Sequence, residues 1–164
     1  MHNFCKYYAI FILVCILFFG CKKEPVVNID IHRFEKEFYN SEKKDIKKVI
    51  KKYPYLFPKN FAMDVWESYL IDSIRISTYK KTLDIFDEIP KIEEQISMTF
   101  GLIHSFFPEF KNPKVVTLNS QDQYESRVIY TDSILLISLD QYLGFDYYPE
   151  IPEYIARNMT KKYI

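Results

Sequence analysis

Beyond residue 20 the chain carries only two glycines, Gly101 and Gly144. Glycine is the residue that supplies left-handed and sharply turned backbone without steric cost. A chain with two of them has no glycine-rich phosphate cradle and no dinucleotide-binding fingerprint. It also lacks the tight two-residue turns on which sandwiches of many short strands depend. The shortage therefore directs the chain toward helices joined by prolines and polar loops. Hydrophobic residues make up 48% of the sequence and aromatic residues 18%, which excludes a disordered chain and provides for one domain with a core. Basic and acidic residues balance at 22 each, so bulk charge offers no attraction to nucleic acid.

The amino terminus follows a different logic. Lys6 precedes an unbroken apolar run, Tyr7 to Phe19, and Gly20-Cys21 follows at once. Thirteen helical residues span about 20 Å, short of the roughly 30 Å hydrocarbon core of a bilayer. The layout is that of an export signal over residues 1–20, cut before Cys21. Phe18-Phe19-Gly20-Cys21 resembles a lipobox, with the small residue that lipoprotein signal peptidase requires next to the cysteine. Acyl chains on Cys21 would meet the two-signal requirement for stable anchoring and make the membrane a partner of the mature chain. A retained apolar anchor is the alternative. All three cysteines, Cys5, Cys15 and Cys21, lie in or beside the apolar run, so no thiol is left for a disulfide, a zinc site or a nucleophile.

After a tether over residues 21–25, the folded part is expected over 26–164. Val26 to Ile31 alternates like an extended segment. Helical spacing recurs over Arg33 to Tyr39, over Glu42 to Lys52 with Asn40-Ser41 as its cap, and over Phe61 to Asp72. Ile74 to Phe86 is less regular but compatible with a helix. Lys91 to Phe107 repeats Ile92, Ile96, Phe100, Ile103 and Phe107 and is the clearest helix. Lys114 to Leu118, Arg127 to Thr131 and Ile134 to Leu139 are rich in Val, Ile and Thr and read as strands. The expected fold class is α+β, a helix-rich N-terminal part followed by a small antiparallel sheet. Tyr154 to Ile164 starts a further helical pattern with no stop signal, so the domain is expected to be incomplete at its C-terminus.

Residues that could carry chemistry are few. His32 beside Asp30 offers an acid–base couple or a local strand-end contact, and His104 a ligand or a partly buried structural histidine; in each the structural reading is preferred. Neither supplies a metal motif, so no metal, cofactor or catalytic residue is expected. Lys43, Lys44, Lys47, Lys48, Lys51 and Lys52 form a row that reads as a solvated face, with contact to anionic head groups as the second option. Asp122, Tyr124, Glu125, Arg127, Asp132 and Asp140 cluster around the later strands as candidate binding residues. Such acids could hold a cation or a glycan, or could serve only to solvate a sheet edge and block further pairing. Asp72-Ser73-Ile74 and Asp132-Ser133-Ile134 resemble acceptors of envelope O-glycosylation.

Several spaced blocks carry a family resemblance: Asn28-Ile29-Asp30-Ile31-His32-Arg33-Phe34-Glu35, Tyr53-Pro54-Tyr55-Leu56-Phe57-Pro58, Arg127-Val128-Ile129-Tyr130-Thr131-Asp132-Ser133 and Leu139-Asp140-Gln141-Tyr142-Leu143-Gly144. Pro113-Lys114-Val115-Val116-Thr117 and Tyr154-Ile155-Ala156-Arg157-Asn158-Met159 add two more. Together these resemble the gliding-motility lipoprotein GldB family of Bacteroidota. The resemblance implies a lipid-anchored, non-enzymatic component of the cell envelope, with other gliding and type IX secretion proteins as partners. Lys22 after the cysteine is no acidic retention signal, and the outer membrane facing the periplasm is the expected site. The family is also distantly similar to zincin-like peptidase domains, so a metallohydrolase-related domain remains an alternative, as does a glycan- or cation-binding lipoprotein.

Overall fold

The structure, a computed structural model, describes residues 25–121 and 124–164. The export signal, Cys21 with its tether up to residue 24, and Asp122 lie outside the described residues. Four strands form one sheet in the order β1-β2-β4-β3. They are β1 (Ile31–Arg33), β2 (Lys114–Leu118), β3 (Val128–Tyr130) and β4 (Ile134–Ser138). Strand β2 runs parallel to β1, with Ile31 opposite Val115, and parallel to β4, with Val116 opposite Leu136. Only the β3–β4 pair is antiparallel. The α+β class stands, but the sheet is mixed where an antiparallel one was expected. The reason lies in the connections: residues 34–113 between β1 and β2 hold five helices, and a crossover of that length lets strands run in the same direction.

Those helices are α1 (Phe34–Tyr39), α2 (Ile46–Lys52), α3 (Met63–Tyr69), α4 (Ser73–Phe86) and α5 (Pro90–Phe106). They cover both faces of the sheet. Val115 and Ile137 pack against Phe86 of α4, Ile92 and Phe100 of α5 and the linking Ile89. Val116, on the opposite face of β2, packs against Phe34, Phe38, Ile46, Val49, Tyr53 and Phe57. Consecutive buried valines are what a strand covered on both faces requires, and this explains an apolar run where a half-exposed strand would alternate.

Element ends differ from the expected ones where tertiary contacts decide. Ser41 Oγ donates to Phe38 O at 2.7 Å, closing α1 instead of capping the next helix, so regular helix begins at Ile46 after a 3-10 turn over Lys43–Asp45. Asp72 caps α4 by accepting from Arg75 N at 2.9 Å. The expected terminal helix is reduced to one turn, α6 (Glu153–Ala156). Beyond it Thr160 bridges to Leu143, and Gly144 N donates to Met159 O at 2.9 Å. Pairing of the tail with the Leu143–Gly144 segment overrides a helical pattern only a few residues long.

Gly101 marks a close approach. A Cβ there would stand 1.8 Å from Pro25 O, because the incoming chain crosses α5 at this point. Ser97 Oγ and N–H of Val27 complete the crossing through hydrogen bonds to Val27 O and Ser97 O. Among the described residues no helix is long and apolar enough to cross a membrane.

Candidate functional site

The three parallel strands end at the same edge of the sheet, and three chain segments leave from it. Phe34-Glu35 follows β1, which ends on Arg33, Asn119-Ser120-Gln121 follows β2, and a 3-10 turn over Leu139–Tyr142 follows β4. In open sheets with parallel strands this carboxyl edge is where ligands are usually received. Here it is also where buried polar side chains concentrate. Glu35 is fully buried and pairs with Arg33, while its Oε2 accepts from Thr117 Oγ1 at 2.8 Å. Asn119 Nδ2 donates to Thr82 Oγ1 at 3.0 Å, and Thr82 Oγ1 in turn donates to Thr78 O at 3.0 Å on the inner face of α4.

Asp140 organises the loop after β2. Its Oδ1 accepts from Ser120 N at 3.0 Å and its Oδ2 from Gln121 N at 2.7 Å. Gln121 sits at φ 51°, a left-handed conformation that non-glycine residues adopt only when their surroundings hold them there. The carboxylate is thus the clamp for a strained turn. Burial pushes the Asp140 carboxyl above its ordinary range, against the opposing effect of the Gln121 and Ser120 N–H donors.

On one side of this clamped loop lies a cavity of about 460 Å³, lined by Thr78, Gln121, Tyr124, Asp140, Tyr147 and Tyr148 among others. Tyr147 OH donates to Thr78 Oγ1 at 3.1 Å and Gln121 Nε2 donates to the same oxygen at 3.4 Å. The Tyr148 hydroxyl is buried without a hydrogen-bond partner, and burial raises its phenol well above the usual tyrosine range. On the other side lies a smaller space of about 190 Å³, lined by Tyr39, Phe57, Trp66, Tyr69, Arg75 and Asn119. There the Arg75 guanidinium stacks 3.6 Å from the Tyr69 ring centre, and Asn119 Oδ1 is buried with no partner.

The sequence-derived candidates divide. Tyr124 and Asp140 line the larger cavity together, and Arg127 stacks at 3.9 Å on the Tyr124 ring while its Nη1 donates to Tyr124 O. Glu125 is exposed on a 3-10 turn, and Asp132 is exposed in the hairpin turn between β3 and β4, separated from the cavity by the length of β3. Asp122 lies outside the described residues. Thr78, Gln121, Tyr147 and Tyr148 went unrecognised in the sequence. The irregularity of the Ile74 to Phe86 pattern was a signal for Thr78 alone, since the buried positions of α4 include Thr78, Tyr79 and Thr82, and no local pattern marked the other three.

The remaining candidates resolve into structure. His32 stands 3.7 Å from an exposed Asp30 and meets the edge of Tyr53, and His104 pairs with Asn112 Oδ1 at 2.9 Å. The lysine row is exposed, with Lys44, Lys48 and Lys52 paired to Glu42, Asp45 and Glu37. Ser73 and Ser133 of the two glycosylation-like triplets are both exposed. Among the described residues no group of three or more His, Cys, Asp or Glu side chains could hold a metal ion. The site thus combines aromatic rings, hydroxyls and amides around a carboxyl whose two oxygens already serve the backbone, an arrangement suited to holding a molecule.

No curated protein and no solved structure matches the chain. Residues 21–164 match the family described as gliding motility protein GldB. That match spans the whole described region, and the chain is accordingly a member of the GldB family of gliding motility proteins.

Proposed function

We propose that this chain is a lipid-anchored component of the cell envelope in the gliding apparatus, held through Cys21 to the periplasmic face of the outer membrane. It acts by contact with other gliding and type IX secretion proteins, with no catalysis of its own. Family membership supports the process and the envelope setting. The observation that carries contact as the mode of action is the outer edge of the sheet. Strand β3 is paired on one side only, and Val128, Ile129 and Tyr130 are 46%, 44% and 55% exposed. Arg127 O accepts from Ser138 N and Thr131 N donates to Ile134 O. Because main-chain groups alternate along a strand, those of Val128 and Tyr130 point away from β4.

Natural sheets usually blunt such an edge with lysine, proline or a bulge. Val128–Tyr130 carries no charge and no proline, so it can accept a strand from a partner. The candidate acids favour the same reading: Asp140 is engaged by two N–H groups, and Glu125 and Asp132 stand apart from it.

A photocrosslinking residue at Ile129, introduced into the protein in a gliding bacterium, tests this. The expected adducts are identified envelope proteins of the gliding or secretion machinery, and they are lost when Val128 and Tyr130 are both replaced by lysine. Absence of any envelope adduct from a protein that is stably present would contradict the reading.

A further inference from the structure

We propose that the cavity beside the Asp140 clamp is a binding site for a neutral saccharide. The inference goes beyond the gliding assignment and depends on neither the lipid anchor nor the β3 edge. Its volume, about 460 Å³, falls in the range of about 300–1,000 Å³ typical of small-molecule sites, and it opens at the carboxyl ends of β2 and β4.

Charge narrows the ligand. No Lys, Arg or His lines the cavity among the described residues, whereas Asp140 and Glu150 both do, so a phosphate or carboxylate would meet only like charge. A bare divalent cation fits poorly as well. Calcium takes six to eight oxygen ligands. Both Asp140 oxygens already accept main-chain N–H groups, which leaves Glu150 as the one other lining carboxylate among the described residues.

What remains matches the two-sided chemistry of a sugar, whose C–H faces rest on aromatic rings and whose hydroxyls both donate and accept. Tyr124, Tyr147 and Tyr148 supply the rings. Thr78 Oγ1 accepts from Gln121 Nε2 and Tyr147 OH, and neither bond uses its own proton, which is left to donate. The Tyr148 hydroxyl is buried and unpartnered beside the cavity, and a small turn of the side chain toward a ligand hydroxyl would give it the partner that the protein does not.

The unpartnered state of Tyr148 OH also makes a clean test, because Tyr148→Phe removes no hydrogen bond within the protein. Saturation-transfer NMR and calorimetry on the full chain would use cellobiose, mannobiose and N,N′-diacetylchitobiose, with calcium chloride and inorganic phosphate as rival chemistries. The expected result is saturation transfer to at least one disaccharide, with binding weakened about tenfold by Tyr148→Phe at unchanged melting temperature, and weakened also by Thr78→Val, which in addition lowers the melting temperature because Gln121 Nε2 and Tyr147 OH lose their acceptor. Asp132→Asn, far along the hairpin, leaves it unaltered. No transfer to any of the three sugars, sugar binding that survives both cavity variants, or a calcium or phosphate titration abolished by them would overturn the proposal.

Discussion

Asp140 shows how much one side chain can be asked to do. Its two oxygens hold Ser120 and Gln121 in a turn that Gln121 would not adopt alone, and the same turn separates the two spaces at the sheet's carboxyl edge. Asp140→Asn keeps one acceptor and sets an amide N–H₂ against the second backbone N–H. Such a change costs about 1–3 kcal/mol at pH 7, read from urea denaturation. The pH dependence has a defined sign. Burial raises the folded-state carboxyl above its ordinary value of 3.8. Between that value and the raised one, the native state holds more protons than the unfolded state, so this group's contribution falls as pH rises through the window. The stability difference between wild type and Asp140→Asn is therefore larger near pH 4 than near pH 7. A difference that grows with pH would show that the carboxyl is stabilised in its charged form. Asp140 was legible in the sequence as an acid after a strand, but its role as a clamp was not. That role depends on β2 and β4 lying side by side, a pairing of residues about twenty positions apart that no local pattern encodes.

At the scale of elements, the helices were the most legible. Apolar spacing located α1 and α5 to within a few residues, since each buries an apolar stripe, whereas α4 was only helix-compatible because its buried positions include Thr78, Tyr79 and Thr82. Strand direction was not legible. Val-Val-Thr in β2 reads the same in a parallel or an antiparallel sheet, and only the helical crossover from β1 makes it parallel. The tail was misread because Met159 belongs to the core through the Leu143–Thr160 bridge and not through a helix face. Gly101 lets the element scale be tested. In an isolated helix Gly→Ala gains about 1 kcal/mol. Here the added methyl would stand 1.8 Å from Pro25 O, and the incoming strand-like segment must lift from α5. Gly101→Ala is thus expected to destabilise the domain and to speed amide exchange over residues 25–30. A stabilised variant with unchanged exchange would show that the segment does not lie on α5 in solution.

For the whole molecule, the described region explains how the protein is built and leaves its address to the segment before it. The sheet, covered on both faces at β2, carries a tyrosine-lined cavity at its carboxyl edge and an apolar strand paired on one side only at its outer edge. Both features need only that the body be kept in the envelope, beside its partners. The proposal assigns that task to Cys21, with acyl chains each adding about 0.8 kcal/mol per buried CH₂. From Cys21 to Pro25 the chain is at most about 14 Å long when extended, so the domain would ride close to the bilayer. The most direct measurement is metabolic labelling with a clickable fatty acid in a gliding bacterium, comparing wild type with Cys21→Ala. The account predicts a labelled, membrane-bound wild type and an unlabelled variant. Equal labelling of the two, or none in either despite normal expression, would contradict it.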